Sequence, residues 1–446
     1  MGTSLGTRIP LSKMHTNQRP PRSAVAHHWR LDPDLVFLNH GSFGACPTPV
    51  VEAQQQMRDR IEREPVSFFC DELFHQTDRS RKAIASLTGG RPEDYVFLAN
   101  ATQSVATVLD NALMGVGLPG GKPLGPGDEI LINSHEYPAC QNIIRRAAAR
   151  AGAKVVTAEL PWLDEPTPVT ADRLFEIMMS GVTDRTRFCM MSLITSPTGM
   201  IMPVSRLVHA LHARGVATLV DAAHGPGAIE MDVTKLGADF ITSNCHKWLC
   251  SPKGSAFLYV RPEHQQGFRP MALSNYANAP EGTKNRSKFN LEFDYVGTDD
   301  PTARLAIADA VERVPVCAER SWSEIIAHNR DLVMRGRDVL LERLGMAAPA
   351  SDELIGPLAV VPLPDTPPER RQAIADRPTL YSNALQDSLV TNHGVQVPVW
   401  VPSAYLGQPF DGKRYIRLSA QVYNTLAQYE YLADALLQEL EAESRL

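Results

Sequence analysis

Residues 241–250 read ITSNCHKWLC, and SPKGSAFLYV follows. A His-Lys-Trp triplet therefore stands between two apolar runs that both have the composition of buried strands. Lysine is among the side chains least often buried. Apolar surroundings disfavour its charged form, and the amine that results is a nucleophile and a base. Other apolar runs also end in residues able to do chemistry. LAN leads into Ala101, Thr102 and Gln103; LINS into His135, Glu136 and Tyr137; MSLI into Thr195, Ser196, Pro197, Thr198 and Gly199. TLV leads into Asp221 and His224, and FITS into Asn244, Cys245, His246 and Lys247. One amine, one carboxylate, several imidazoles and several hydroxyls thus fall at run ends.

The runs themselves say what must position these groups. DYVFLAN, DEILINS, KVVTAEL, RFCMMSLI, VATLVDAA, DFITSN and SAFLYV are continuously apolar rather than alternating, as strands buried on both faces are. Helical patterns such as ATQSVATVLDNALMG, PACQNIIRRAAARAG and SRLVHALHARG separate most of them. Strand–helix–strand at this spacing predicts right-handed crossovers and a mostly parallel, seven-stranded sheet between residues 94 and 260. SAFLYV follows DFITSN too closely for a crossover helix, so that pair is expected to be antiparallel. After Asp300 the texture changes to long helical patterns, then LAVVPLP, RYIRLSAQ and a closing helix, which predicts a smaller α/β domain. The expected boundaries are an arm over 1–34, a large domain over 35–305 and a small domain over 306–446. In a parallel α/β sheet, ligands bind outside the C-terminal strand ends, so the polar run ends above would share one rim.

Bulk properties narrow the partners. The chain has 446 residues, 44 Lys+Arg against 50 Asp+Glu and a net charge of −6, which gives no sign of a nucleic-acid surface. Its 7 cysteines are scattered, with no CxxC, so neither a disulfide framework nor a metal site is expected, and a reducing cytoplasm is the expected location. No apolar run approaches the roughly 18 residues of a membrane span. Residues 1–31 carry five Lys/Arg and no Asp/Glu but lack the apolar core of a secretory signal.

A lysine amine for an aldehyde, an acid for a pyridine nitrogen, and phosphate donors at a helix N-terminus are what pyridoxal phosphate (PLP) requires. LNHGSFGACP, NATQSV, SHEYPA, SPTGMIMPV, VDAAHGPG, NCHKW, YVGTDD and YIRLSAQVYN occur in order from residue 38 to 424. With these segments the chain resembles the fold-type-I PLP enzymes of the class V aminotransferase group, and within it the isopenicillin N epimerase-like proteins. The resemblance implies a PLP-dependent transferase fold. It implies Lys247 as the cofactor lysine and proton carrier at the substrate Cα, Asp221 on the pyridine nitrogen and His224 at the ring hydroxyl. Ala101, Thr102 and Gln103, with Asn244 and His246, would hold the phosphate; sulfur-handling relatives often carry Ser where Asn244 stands. Ser196 would donate to the ring oxygen. His135 or Tyr137 would stack on the ring, with His135 favoured. Gly297 and Thr298 would complete the phosphate site of a neighbouring subunit, which makes the expected active unit a homodimer. Arg417 would hold the substrate carboxylate in a bidentate pair, and Asn39, His40 and Ser42 would line the substrate entrance.

The expected reaction is Cα chemistry on an amino acid, epimerase-like, with β-elimination at a C–S bond or transamination as alternatives. A desulfurase would need a nucleophilic cysteine on a mobile loop. Cys245 and Cys250 instead bracket the lysine on a rigid segment, and Cys317 falls in a helical pattern. A non-catalytic PLP-binding regulator would carry a DNA-binding headpiece, for which the N-terminal arm is too short and too Pro-rich.

Overall fold

The computed structural model describes residues 19–162 and 167–445. Most of the N-terminal arm, residues 1–18, lies outside the described residues. Its remainder runs along the C-terminal part: Ser23 donates its backbone N–H to Tyr423 O at 3.2 Å, and Thr425 Oγ1 donates to Pro21 O at 2.6 Å. The first strand, β1 (Val36–Phe37), pairs there too, lying parallel to residues Val395 and Gln396.

The next seven strands form the central sheet: β2 (Tyr95–Leu98), β3 (Glu129–Asn133), β4 (Lys154–Ala158), β5 (Thr186–Ser192), β6 (Ala217–Asp221), β7 (Phe240–Asn244) and β8 (Ala256–Val260). Their order is β2-β8-β7-β6-β5-β3-β4. β3 to β7 run parallel, and β8 is antiparallel to both β7 and β2, as the short connection requires. Successive residues go to opposite faces and both faces are covered. Val220, Ile241 and Met191 enter one apolar cluster with the helices Ala171–Ser180 and Val204–His212. Leu219, Phe240 and Met190 enter another with the helices Ala101–Leu113 and Pro138–Ala151. That two-sided burial is why the runs are continuously apolar.

Beyond residue 305 the chain builds β9 (Leu358–Pro362), β10 (Val395–Gln396, the partner of β1), β11 (Val399–Trp400) and β12 (Tyr415–Ser419). β11, β12 and β9 make a three-stranded antiparallel sheet. The helices Trp322–Leu344 and Leu426–Glu443 cover it through Leu332, Leu340, Leu432 and Leu436. The longer of the two begins at a Ser321/Glu324 capping box and ends at Gly345 in the left-handed conformation. β12, the middle strand of this sheet, carries Arg417.

Candidate active site

The C-terminal ends of β5, β6 and β7, the first turn of the helix Ala101–Leu113 and the middle of β12 enclose a cavity of about 350 Å³. Thr102, Ser196, Asp221, His224, Asn244, His246, Lys247 and Arg417 line it, together with Ala101, Ser42 and Tyr137. These are most of the residues expected from the sequence, drawn from stretches that lie far apart along the chain.

Lys247 leaves the sheet just after β7 and lines the cavity, partly buried. Burial lowers its pKa to about 8 against the opposing pull of Asp221, and Arg417 lowers it further. Its Nζ is 3.0 Å from His224 Nε2. Asp221 ends β6, where burial raises its pKa while the N–H of Ala223 (2.9 Å) and Lys247 offset part of the effect. The thiol of Cys140 donates to its other oxygen at 3.6 Å. Arg417 is only 2% exposed. Its guanidinium donates to Ser196 O and, at 2.9 Å, to Ser42 Oγ. Its Nε is buried without a partner, no described acid pairs with it, and burial lowers its pKa to about 10. A buried guanidinium without a counter-ion is costly, a cost that an anion in the cavity would offset.

Asn100 caps the helix Ala101–Leu113, its Oδ1 accepting the Gln103 N–H at 2.9 Å. Asn244 Oδ1 accepts the Ala101 N–H at 2.8 Å. Thr102 lines the cavity at this helix N-terminus, while the Ala101 and Gln103 N–H groups, expected at a phosphate, are taken by Asn244 and Asn100. His246 is bonded through Nδ1 to Ser255 O at 3.0 Å, and burial lowers its pKa to about 4. An amine, an acid at a strand end, a helix N-terminus and an unpaired arginine converge here, and that donor set fits PLP and an amino acid.

Other expected residues lie elsewhere. His135 is fully buried behind the wall, with Nδ1 3.1 Å from Thr198 Oγ1 and its ring 4.3 Å from that of Trp162. Of the two stacking residues, the cavity offers Tyr137. Gln103 is exposed and its side chain turns back to the Ala99 N–H. His40 is not at the entrance; it sits beneath the lysine, with Nε2 3.0 Å from Lys247 O and Nδ1 2.7 Å from Tyr423 OH. Asn39 accepts from Ser42 Oγ at 2.5 Å and stays off the wall. Gly297 and Thr298 are away from this chain's own cavity, Thr298 Oγ1 lying 2.8 Å from Tyr295 OH.

The wall also contains Phe43 and Trp400, from stretches 40–46 and 385–410 that are expected to set side-chain specificity, and Asn100 and Cys140, which have no site role in the sequence reading. Asn100 was findable: an Asn before a helical run with Gln three residues later is a cap signature. Trp400 sits in a two-residue strand and gives no periodic signal. Among the described residues there is no cluster that could hold a metal and no helix long and apolar enough to cross a membrane.

Fold and site together define a pyridoxal-phosphate enzyme of fold type I. The chain belongs to the aminotransferase class-V family, whose family model matches residues 44–332. It is 29% identical over 417 residues to isopenicillin N epimerase of Streptomyces clavuligerus, covering 91% of this chain and 95% of that one. It is 28% identical over 432 residues to an L-cysteine desulfhydrase of Arabidopsis thaliana, covering 93% and 89%. Among solved structures, the fold is shared with the cystine C-S lyase C-DES (TM-score 0.70, 19% identity, 91% and 97% covered). It is also shared with the cysteine desulfurase CsdA from Escherichia coli (TM-score 0.69, 20% identity, 94% and 98% covered).

Proposed function

We propose that this enzyme breaks the Cα–H bond of an α-amino acid or a derivative, epimerase-like, with Lys247 as the amine that takes the cofactor's aldehyde. The observation that carries the substrate class is Arg417: a buried arginine with a free Nε and no acid partner fits a substrate carboxylate. Bound PLP supplies an electron sink that makes the Cα–H acidic. The chain's own residues do the rest. Asp221 would hold a proton at the pyridine nitrogen, His224 would donate to the ring oxygen, and Thr102, Asn244 and His246 would hold the phosphate. Tyr137 would cover the ring. Lys247, with a pKa lowered to about 8, takes the proton from Cα on one face. Epimerisation needs a second donor on the other face; Tyr137, which lines the cavity, is assigned that role.

A second reading, elimination at a C–S bond, is favoured by the desulfhydrase relative, and needs only a leaving group at Cβ. Desulfurase chemistry is disfavoured, because Cys140 is the one thiol on the described wall, and it is buried and tied to Asp221. Burial raises its pKa well above the ordinary thiol value, Asp221 adding to the effect, so it is a poor nucleophile.

The working unit in this reading is a cytoplasmic homodimer, in which Gly297 and Thr298 reach the partner's phosphate. The large part over 35–305 would carry the cofactor and the part over 306–446 would present Arg417. The test is incubation of the cofactor-loaded enzyme with L- and D-amino acids in D₂O. Cα deuteration with inversion supports epimerisation, and pyruvate with sulfide from cysteine supports elimination. No exchange with any amino acid sinks the proposal.

A further inference from the structure

His224 is engaged at both ring nitrogens. Nδ1 lies 3.0 Å from the indole Nε1 of Trp248, and Nε2 lies 3.0 Å from Lys247 Nζ. An indole N–H donates and cannot accept. Nδ1 must therefore present its lone pair. A neutral imidazole with a lone pair on Nδ1 carries its proton on Nε2. An imidazolium has no lone pair on Nδ1, so the indole contact makes His224 neutral; burial, Lys247 and Arg417 all lower its pKa in the same sense. The Nε2–H then points at the lysine nitrogen, where a hydrogen bond requires a lone pair. A free amine has one and an ammonium does not.

We propose that Trp248 fixes the tautomer of His224, so that its Nε2–H favours the free-amine form of Lys247 and lowers the pH at which that form appears. Trp248 is a positioning residue, acting through His224. The proposal rests on Lys247 being the cofactor lysine and says how the chain keeps that amine ready. One turn of chain carries both the indole and the amine, so they reach the same imidazole from its two sides.

The surroundings keep the indole in place. Trp248 is 1% exposed and its ring lies 5.0 Å from that of His40. The backbone at Gly227 closes on it so tightly that a Cβ there would stand 2.7 Å from Trp248 O. A Cβ on Gly41 would meet the indole edge at 3.4 Å. The charged and titratable groups acting on the lysine are Asp221, which favours its ammonium, Arg417, which opposes it, and Cys140. The imidazole of His224 therefore acts with Arg417 and against Asp221. The same Nε2–H is the donor that a cofactor ring oxygen would accept, so one tautomer serves the site before and after cofactor binding.

Neutron diffraction from deuterium-exchanged crystals of the full, cofactor-free chain reads the tautomer directly. The expected result is deuterium on His224 Nε2 and none on Nδ1; deuterium on Nδ1 overturns the proposal. A second arm uses Trp248→Phe, which keeps most of the bulk and removes the donor. The pH dependence of cofactor uptake, followed by absorbance, should move its midpoint upward by about one pH unit. An unchanged midpoint in a folded variant overturns the proposal as well. Should the cofactor attach to a lysine other than Lys247, the functional reading fails, whereas the neutron result stands or falls independently.

Discussion

The two rims of the central sheet treat buried acids in opposite ways. At the N-terminal rim, Glu129 accepts from Thr183 Oγ1 at 2.6 Å and from Arg185, and these bonds hold its pKa below the usual carboxylate range. Burial pushes Asp239 up, but His212 and His264, each at 2.9 Å, with the Thr218 N–H, bring it far below that range. At the C-terminal rim the balance is reversed. Burial raises Asp221 and takes Glu136 up to about 8, and the bonds Glu136 receives from Ser192 and Asn133 do not cancel it. Acids at one rim are bonded directly to arginine or histidine side chains and hold the fold; those at the other take hydrogen bonds only from neutral donors, near an amine and an arginine that have no bonded acid. Perturbations of that second kind cluster where chemistry is done. Near-identical strands thus separate stability from function by which end of the strand a residue occupies.

Breaking the functional rim should show the largest effects. Asp221→Asn should keep the cofactor bound yet slow Cα–H exchange by orders of magnitude, since the pyridine nitrogen loses its acid partner; near-normal exchange by NMR removes that role. Arg417→Ala should cost amino-acid substrates about 2–5 kcal/mol, a loss of roughly 30-fold to several thousand-fold at about 1.4 kcal/mol per decade. Amines lacking the carboxylate should be little affected, and Arg417→Lys should recover only part of the loss. Equal losses for both substrate types would move the carboxylate site elsewhere.

At the other rim, Asp239→Asn should lower stability by about 1–3 kcal/mol and leave cofactor uptake unchanged, as read by denaturant melts and absorbance. Its sign with pH is fixed. The folded-state pKa is depressed, so its stabilisation is complete above the ordinary carboxylate range and is lost as pH falls through the folded value. Acid unfolding of the variant should be correspondingly shallower. The smallest effect belongs to Glu136→Gln. With a pKa of about 8 the acid is mostly neutral at pH 7, and an amide reproduces its shape and one donor. Stability near pH 7 should barely change, and a large loss there would mean that Glu136 is ionised.

The sheet and the residues that end its strands were legible in the sequence for one physical reason, whereas Arg417 and Ser42 came from the family resemblance. Strands buried on both faces leave continuous apolar runs, so the polar residues that end them stand out, as Asp221 and Lys247 do. Less legible were residues whose position depends on long-range packing. Trp400 comes from a two-residue strand whose ladder partner is β12. His40 belongs to a glycine-bearing motif that suggested an entrance, but packing turned its ring under Lys247. His135 and Tyr137 stand two residues apart in SHEY, and only the turn after β3 decides which reaches the cavity. The β1–β10 pairing joins segments more than 350 residues apart, and two-residue strands leave no period to read.

The central claim is that Lys247 is the amine that carries the cofactor. Borohydride reduction of the PLP-loaded enzyme, followed by peptide mapping, tests it most directly. The prediction is a single pyridoxyl-phosphate adduct on the peptide containing Lys247, absent from a folded Lys247→Ala variant. An adduct on another lysine, or a yellow, reducible Lys247→Ala protein, would contradict it.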